Sequence, residues 1–340
     1  MLSFLQLAAC GVVAVVVWLV VARRSKKPSL DSYKLPDPPT DTVILHQFGP
    51  APAVPSVSPF VIKLETYLRA AGIPYVNKFD RKLGPKGKIP WIQYNEHVMS
   101  DSQFCVEFLN QQFSVNLSRR LSPQEAALGQ VVRRTAEEFI YWAIVWYRLC
   151  GDPSSTLYRQ LGLPAPFIWY LRHESARRVA VHGIGRHSHD EVTKLTRDDL
   201  RALSVILGNK NFLFGNSKEE VTEVDCALFG QLCELLWGTP LCPVAAEARE
   251  KFPNLEQFCL KMKEAFWPDW EERLLGAKTK ADAHKNGTAK SEEGKKSSPP
   301  LQHADSSIDD VTPIGPMSSD FTESEVLRSR AAKINGTNSS

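Results

Sequence analysis

The sequence predicts an α/β domain followed by an all-α domain, the pair preceded by one transmembrane helix. Strand and helix signals alternate between Thr42 and Phe113, capping signatures at Ser122, Ser188 and Thr222 open successive helices, and residues 2–22 carry no charge. The 340 residues divide into an anchor at 1–22, a basic, Pro-rich linker at 23–41, an α/β domain at 42–113, an all-helical domain at 114–275 and a disordered tail at 276–340.

A composition of 43% hydrophobic and 23% charged residues is ordinary for a globular protein, and the length suits two small domains with appendages. A net charge of +3 with scattered Lys and Arg sets nucleic-acid binding aside. Seven widely spaced Cys without a C-x-x-C pair form neither a disulfide framework nor a zinc module, which points to a reducing compartment.

As a helix rising about 1.5 Å per residue, Leu2–Ala22 matches a hydrocarbon core of roughly 30 Å. Arg23, Arg24, Lys26 and Lys27 follow it, so the charge bias places the downstream body in the cytosol, where the tetrad also meets anionic headgroups. The competing reading is a cleaved signal peptide. Val20 and Ala22 suit a cleavage site, and Asn116, Asn286, Asn335 and Asn338 stand in N-x-S/T sequons. Against it stand the missing positive n-region, the length of the apolar run, and a basic cluster that would have to cross the bilayer.

Prolines 28, 36, 38 and 39 favour an extended, semi-rigid spacer that lifts the body off the bilayer. Thr42–Phe48 reads as a strand. Ser58 at the N-cap and Pro59 at the first helical position then open a helix, with Phe60, Leu64, Leu68 and Ala71 on one face and Gly72 closing it. Tyr75–Phe79 is the next strand. In Gly87–Tyr94, Pro90 belongs at a strand edge or a cis bond because it has no N–H to donate. His97–Ser100 pairs back across the Asn95-Glu96 turn, and Asp101-Ser102 opens a helix bearing Phe104, Phe108 and Leu109.

Ser122-Pro-Gln-Glu125 is a capping box with Pro at N1, and the helix beyond it is apolar on nearly every side through residues 138–147, hence buried on nearly every side. Ser188–Glu191 is a second box, whose helix ends at Gly208, and Thr222–Asp225 is a third, ahead of the apolar run to Trp237. Another helix follows Phe252-Pro253. From about Gly276 the chain has few large apolar residues and cannot offset chain entropy by burial.

The order Ser58-Pro59-Phe60, Gly87-Lys-Ile-Pro90 and Asp101-Ser102 resembles the thioredoxin-like, glutathione-binding half of the glutathione S-transferases, and the box at Thr222 and the Phe252-Pro-Asn-Leu255 pattern resemble that family's helical half. Carried over by position, the resemblance implies that Ser58 faces the thiol and that Ile89, before Pro90, pairs with the tripeptide backbone. It further implies that Asp101 and Ser102 hold the γ-glutamyl end and that Lys88 lies near the glycyl carboxylate. A hydroxyl at a helix N-terminus would stabilise a thiolate, and the N–H groups of the helix opened by Ser102 would suit a carboxylate.

The phrases Ile44–Phe48, Ser58–Phe60, Lys63-x-Glu65-Thr-Tyr-Leu-Arg69, Gly87–Trp91, His182–Arg186 and Phe266-Trp-Pro-x-Trp270 are similar throughout to the failed axon connections family, with its metaxin-like relatives. The resemblance implies a membrane-anchored binding or adaptor protein with a role in axon development, held by its N-terminal helix with the body in the cytosol, and joined by protein partners or a second copy as a homodimer. A glutathione-dependent transferase is the first alternative, with glutathione as its cofactor. The second is a metaxin-like assembly factor on the mitochondrial outer membrane.

Each motif also has a structural reading. Ser58 is accounted for as an N-cap whose loss would cost about 1 kcal/mol. His182, His187, His189 and Asp190 crowd a loop but lack the fixed spacing of a metal site, and no metal is expected. Cys226 and Cys233 read as core residues, and Trp142, Trp146 and Trp169 as pocket walls or core.

Overall fold

The computed structural model describes residues 28–276. The expected anchor at 1–22, residues 23–27, and all of the expected tail beyond Gly276 lie outside the described residues. Among the described residues, no helix is long and apolar enough to cross a membrane.

Four strands, β1 (Val43–His46), β2 (Tyr75–Lys78), β3 (Trp91–Tyr94) and β4 (His97–Ser100), form one mixed sheet in the order β2-β1-β3-β4. β2 runs parallel to β1, with Val43 opposite Tyr75, while β3 runs antiparallel to β1 and β4 closes a hairpin on β3. The parallel pair is bridged by helix α1 (Pro59–Ala71), stopped by Gly72 in the left-handed region, and the hairpin leads into α2 (Ser102–Phe113). Side chains alternate across a strand. Val43 and Leu45 of β1, with Ile92 and Tyr94 of β3, join Ile62, Leu64 and Leu68 of α1 and Val106 and Leu109 of α2 in the main core.

Period-four spacing predicts one buried face for α1, but the helix is buried without a break from Val61 to Leu68 while Phe60 is half exposed. The reason is a second layer against α1. Helix α8 (Glu223–Leu236) is buried from Val224 to its end, and at Gly230 it comes so close that a Cβ there would lie 2.3 Å from the Pro59 carbonyl oxygen. The polar residues of α1 are therefore buried and paired. Lys63 meets Glu137 at 2.6 Å, Glu65 meets Arg69 and Arg273, Thr66 accepts from Trp267 Nε1 at 2.9 Å, and Tyr67 donates to Asn110 at 2.8 Å.

The helical half begins with α3 (Pro123–Arg134), which continues through a π-helical turn (Thr135–Ile140), α4 (Tyr141–Trp146) and a second π turn (Tyr147–Gly151). Burial runs nearly all the way round residues 138–147, as expected, with one exposed position. Ile140, Ala143, Ile144, Trp146 and Tyr147 are buried, whereas Glu138 is exposed and Tyr141 and Trp142 are half-buried. Helices α5 (Thr156–Gln160), α6 (Ala165–His182), α7 (His189–Leu207), α9 (Pro243–Lys251) and α10 (Pro253–Phe266) complete it. All three expected capping boxes have both of their hydrogen bonds.

Residues 28–41 do not stand off as a spacer. Tyr33 in the 3-10 turn Leu30–Tyr33 is buried edge-to-face on Trp91, Leu35 N–H donates to Gln93, Lys34 pairs with Glu96, and Lys82 Nζ donates to the Ser32 carbonyl. Trp91 and Gln93 point away from the main core, and the connection between β2 and β3 contains no helix to cover them. The N-terminal segment does so instead. His46, opposite Trp91 in the register, stacks on it at 3.5 Å and bonds Asp80 through Nδ1 at 2.8 Å; burial lowers its pKa from 6.5 to about 4.

Candidate functional site

The thioredoxin-like half brings the first turns of α1 and α2 together with the Ile89-Pro90 bond. Lys63 Nζ of α1 donates to Gln103 Oε1 of α2 at 2.9 Å, and Val61 packs with Ile89 and Trp91. Ile89-Pro90 is cis, one of the two arrangements expected for it.

Ser58 occupies the N-cap in extended backbone but makes no side-chain cap. Val61 N–H and Ile62 N–H instead donate to its carbonyl at 3.0 and 3.1 Å. Among the described residues, the 8% exposed Ser58 hydroxyl has no hydrogen-bond partner. Its place is held from outside the sheet. Arg148 Nη1 donates to the Val57 carbonyl at 2.9 Å, and α8 abuts Pro59 at Gly230. The cap contribution expected of the hydroxyl is thus absent, and the Ser58 side chain carries no local structural duty beyond filling space.

The second helix departs from expectation in its cap. Asp101, at φ 82°, is the N-cap of α2, and its Oδ1 accepts from Gln103 N at 2.9 Å and Phe104 N at 3.4 Å. Ser102 is the first helical residue and is buried. Two of the N–H groups offered by the sequence to a γ-glutamyl carboxylate, those of Gln103 and Phe104, therefore already hold a carboxylate of the chain itself. A non-glycine residue at positive φ costs on the order of 1–3 kcal/mol, which the cap bonds and the packing of α2 offset.

Lys88 lies in the exposed approach to Ile89; its carbonyl accepts from Gly84 N–H at 3.0 Å, while its ammonium forms no hydrogen bond or ion pair among the described residues. Desolvation, reinforced by the Arg178 guanidinium, lowers its pKa, while Glu174 acts in the opposite sense. Arg178 and Glu174 belong to α6, and sequence reasoning missed both because they are ordinary surface-helix residues some ninety positions downstream of Lys88. Their helix borders an open cleft of about 370 Å³ lined by Trp142, Arg177, Arg178, Val181 and His182. Phe60 packs on Tyr141 at 4.9 Å, Tyr141 on Trp142 at 5.4 Å, and Trp142 on His182 at 4.7 Å, so rings run from the start of α1 into this cleft. Apolar walls and guanidinium groups suit a planar or anionic ligand.

The other singled-out residues disperse. His182 stacks on Trp142, His187 lies 3.7 Å from Glu191, and His189 packs against Trp146. Among the described residues, no three His, Cys, Asp or Glu side chains are placed to hold a metal. Trp146 is buried and Trp142 lines the cleft, but Trp169 is 68% exposed and belongs to neither core nor cleft. Burial pushes the Cys226, Cys233 and Cys259 thiols well above their usual range and Cys242 up to about 11, which leaves these thiols without thiolate character at neutral pH.

Two family models match the chain: the glutathione S-transferase N-terminal domain over residues 59–154 and the glutathione S-transferase C-terminal domain over residues 196–262. The chain is 29% identical over 253 residues to Failed axon connections of Drosophila melanogaster, covering 68% of this chain and 60% of that protein's length. It is 28% identical over 211 residues to isoprene-epoxide–glutathione S-transferase of Rhodococcus sp. strain AD45, covering 56% of this chain and 85% of that one. To Metaxin-2 of Mus musculus it is 23% identical over 201 residues, covering 57% and 75%.

Proposed function

We propose, from the premise that this chain is a metaxin-like protein with the glutathione S-transferase fold, that it acts as a membrane-held binding or adaptor module and not as a working transferase. The observation that carries this reading is the Asp101 carboxylate on the N–H groups of Gln103 and Phe104, where it competes with a ligand carboxylate for the start of α2. A role in axon development is part of the proposal and rests on the similarity to Failed axon connections.

The test is glutathione binding by calorimetry on the full chain, alongside conjugation of a generic aryl electrophile. We expect little or no binding at millimolar glutathione and no useful turnover. Because its hydroxyl makes no cap bond, Ser58→Ala should shift unfolding by less than about 0.5 kcal/mol, the usual range for a substitution that breaks no bond. The free hydroxyl of Ser58 and the unpaired ammonium of Lys88 favour a second reading, a retained glutathione site. Robust conjugation abolished by Ser58→Ala, with affinity little changed, would establish that reading and overturn ours.

Anchoring belongs to the same proposal and rests on the uncharged run 2–22 and the basic residues 23–27, which together set the body on the cytosolic side. Asn116 reports this topology. It is exposed in the turn after α2, so a glycosyl transferase would reach it in a lumenal body. Glycosidase treatment is expected to leave the mass unchanged and protease to digest the body on sealed membranes. A glycan at Asn116 would reverse the assignment.

A further inference from the structure

Resting on that anchored reading, we infer that the exposed face of α6 lies on the anionic surface of the bilayer that holds the chain. Two independent features meet here: the composition of the face and the shortness of the tether.

Phe167, Trp169, Tyr170 and Val181 of α6 are 46, 68, 53 and 80% exposed. Trp169 stacks on His173 at 5.7 Å and Phe167 on Tyr170 at 6.3 Å, so two exposed ring pairs lie within the first turns of the helix. Single exposed apolar residues are ordinary, but contiguous aromatic surface marks contact with something less polar than water. Beyond the patch, Arg177 and Arg178 face outward with Glu174 as their shared acidic partner, so this part of the face keeps a positive excess, to which Lys88 adds. Arg172 is turned inward onto the Asp152 carbonyl and takes no part. Amphipathic rings beside guanidinium groups are the combination that settles at the headgroup level of an anionic leaflet.

The tether brings the body there. Residues 30–41 are packed on the sheet, so only residues 23–29 can separate the apolar run from the body. At no more than about 3.5 Å per residue they span about 25 Å. Tyr33, the first buried residue, shares a cluster with Val61 at the start of α1, and from there the rings of Phe60, Tyr141 and Trp142 lead to His182 at the end of α6. The C-terminal end of α6 is thus joined through packed side chains to the segment by which the chain leaves for the membrane. His182 to Phe167 adds about 22 Å along the helix.

The full chain would be reconstituted in phosphatidylcholine vesicles, with or without phosphatidylserine, carrying brominated acyl chains as short-range quenchers of Trp fluorescence. Trp18 of the apolar run serves as the reporter of anchoring and Trp169 as the reporter of docking. We expect W18F to remove one component of quenching and W169F to remove most of the rest. The Trp169 component should shrink without phosphatidylserine and in an Arg177→Glu, Arg178→Glu chain. A Trp18 component with none from Trp169 would overturn docking while the anchor stands. A Trp169 component without one from Trp18 would support docking and sink the anchor instead. Trp169 shielded from aqueous acrylamide yet untouched by brominated lipid would mean that protein, a second copy included, covers this face, and would also overturn the inference.

Discussion

Glu65→Ala is expected to destabilise the protein by about 3–5 kcal/mol, the usual penalty for removing one partner from a buried ion network. Glu65 is fully buried and accepts from Arg69, Tyr75, Asn77, Gln47 and, through both of its oxygens, from Arg273. Asp269 completes the set by holding Arg69. Alanine would leave two guanidinium groups sharing one partly exposed carboxylate. It would also loosen the segment after α10, where Arg273 loses its partner on α1 while Trp267 on Thr66 and Asp269 on Arg69 still hold. Urea unfolding would measure the loss, and an Arg273→Ala cycle should show that the two changes are far from additive.

The pH dependence gives that prediction a second readout. Burial alone would raise the Glu65 pKa, but Arg273 and then Arg69 outweigh it and hold the carboxyl below its ordinary value of 4.5. A depressed carboxylate stabilises the fold above its unfolded pKa, and that stability is lost as pH falls through the folded value, so this loss lies below 4.5. His46 acts in a different window. With a folded pKa of about 4 against an ordinary 6.5, the unfolded chain takes the proton first, and stability falls between those values. Glu65→Ala should therefore flatten the acid limb below 4.5 and leave the His46 window in place.

Arg148→Met should cost a similar amount, about 3–5 kcal/mol, with the opposite response to pH. The Arg148 guanidinium pairs with Glu234 and donates to the carbonyls of Val57 at 2.9 Å and Gly238 at 2.9 Å and to Thr239 Oγ1 at 3.0 Å. Gly238 is required for this arrangement, because a Cβ there would fall 2.2 Å from Glu234 Oε2. Without Arg148, Glu234 is left buried with no cation, one of its oxygens already being unpartnered. Burial holds its pKa above the ordinary 4.5 even with Arg148 present. A raised carboxyl makes the fold less stable as pH climbs past the unfolded pKa, so the Arg148→Met deficit should be smallest in mild acid and grow towards neutrality. A deficit that is flat in pH would mean that Glu234 is not the group left exposed to the change. Because Arg148 also holds Val57, the loop that presents Ser58 should gain amide exchange in this variant.

What the sequence determined by itself is local. The capping boxes at Ser122, Ser188 and Thr222, the stops at Gly72 and Gly208, and the turn at Asn95-Glu96 all closed as expected, since each is made among residues three or four apart whose chemistry is complete within the motif. The positions of Ser58, Lys88, Ile89, Pro90, Asp101 and Ser102 were legible in the same way, as starts of helices and strands. Tertiary structure decided how those groups are used. Whether Asp101 caps its own helix or awaits a ligand depends on a backbone turn that no spacing encodes. Likewise, hydrophobic period reports burial on one face only, so α1, enclosed by the sheet and α8, looked amphipathic while its polar residues were buried. Their partners lie 74 residues away for Lys63 and 208 for Glu65, and a charge in a sequence does not name its counter-ion. The same distance in sequence hid the docking of residues 28–41 on the sheet, where a proline-rich stretch reads as a spacer until Trp91 and Gln93 are found uncovered beneath it.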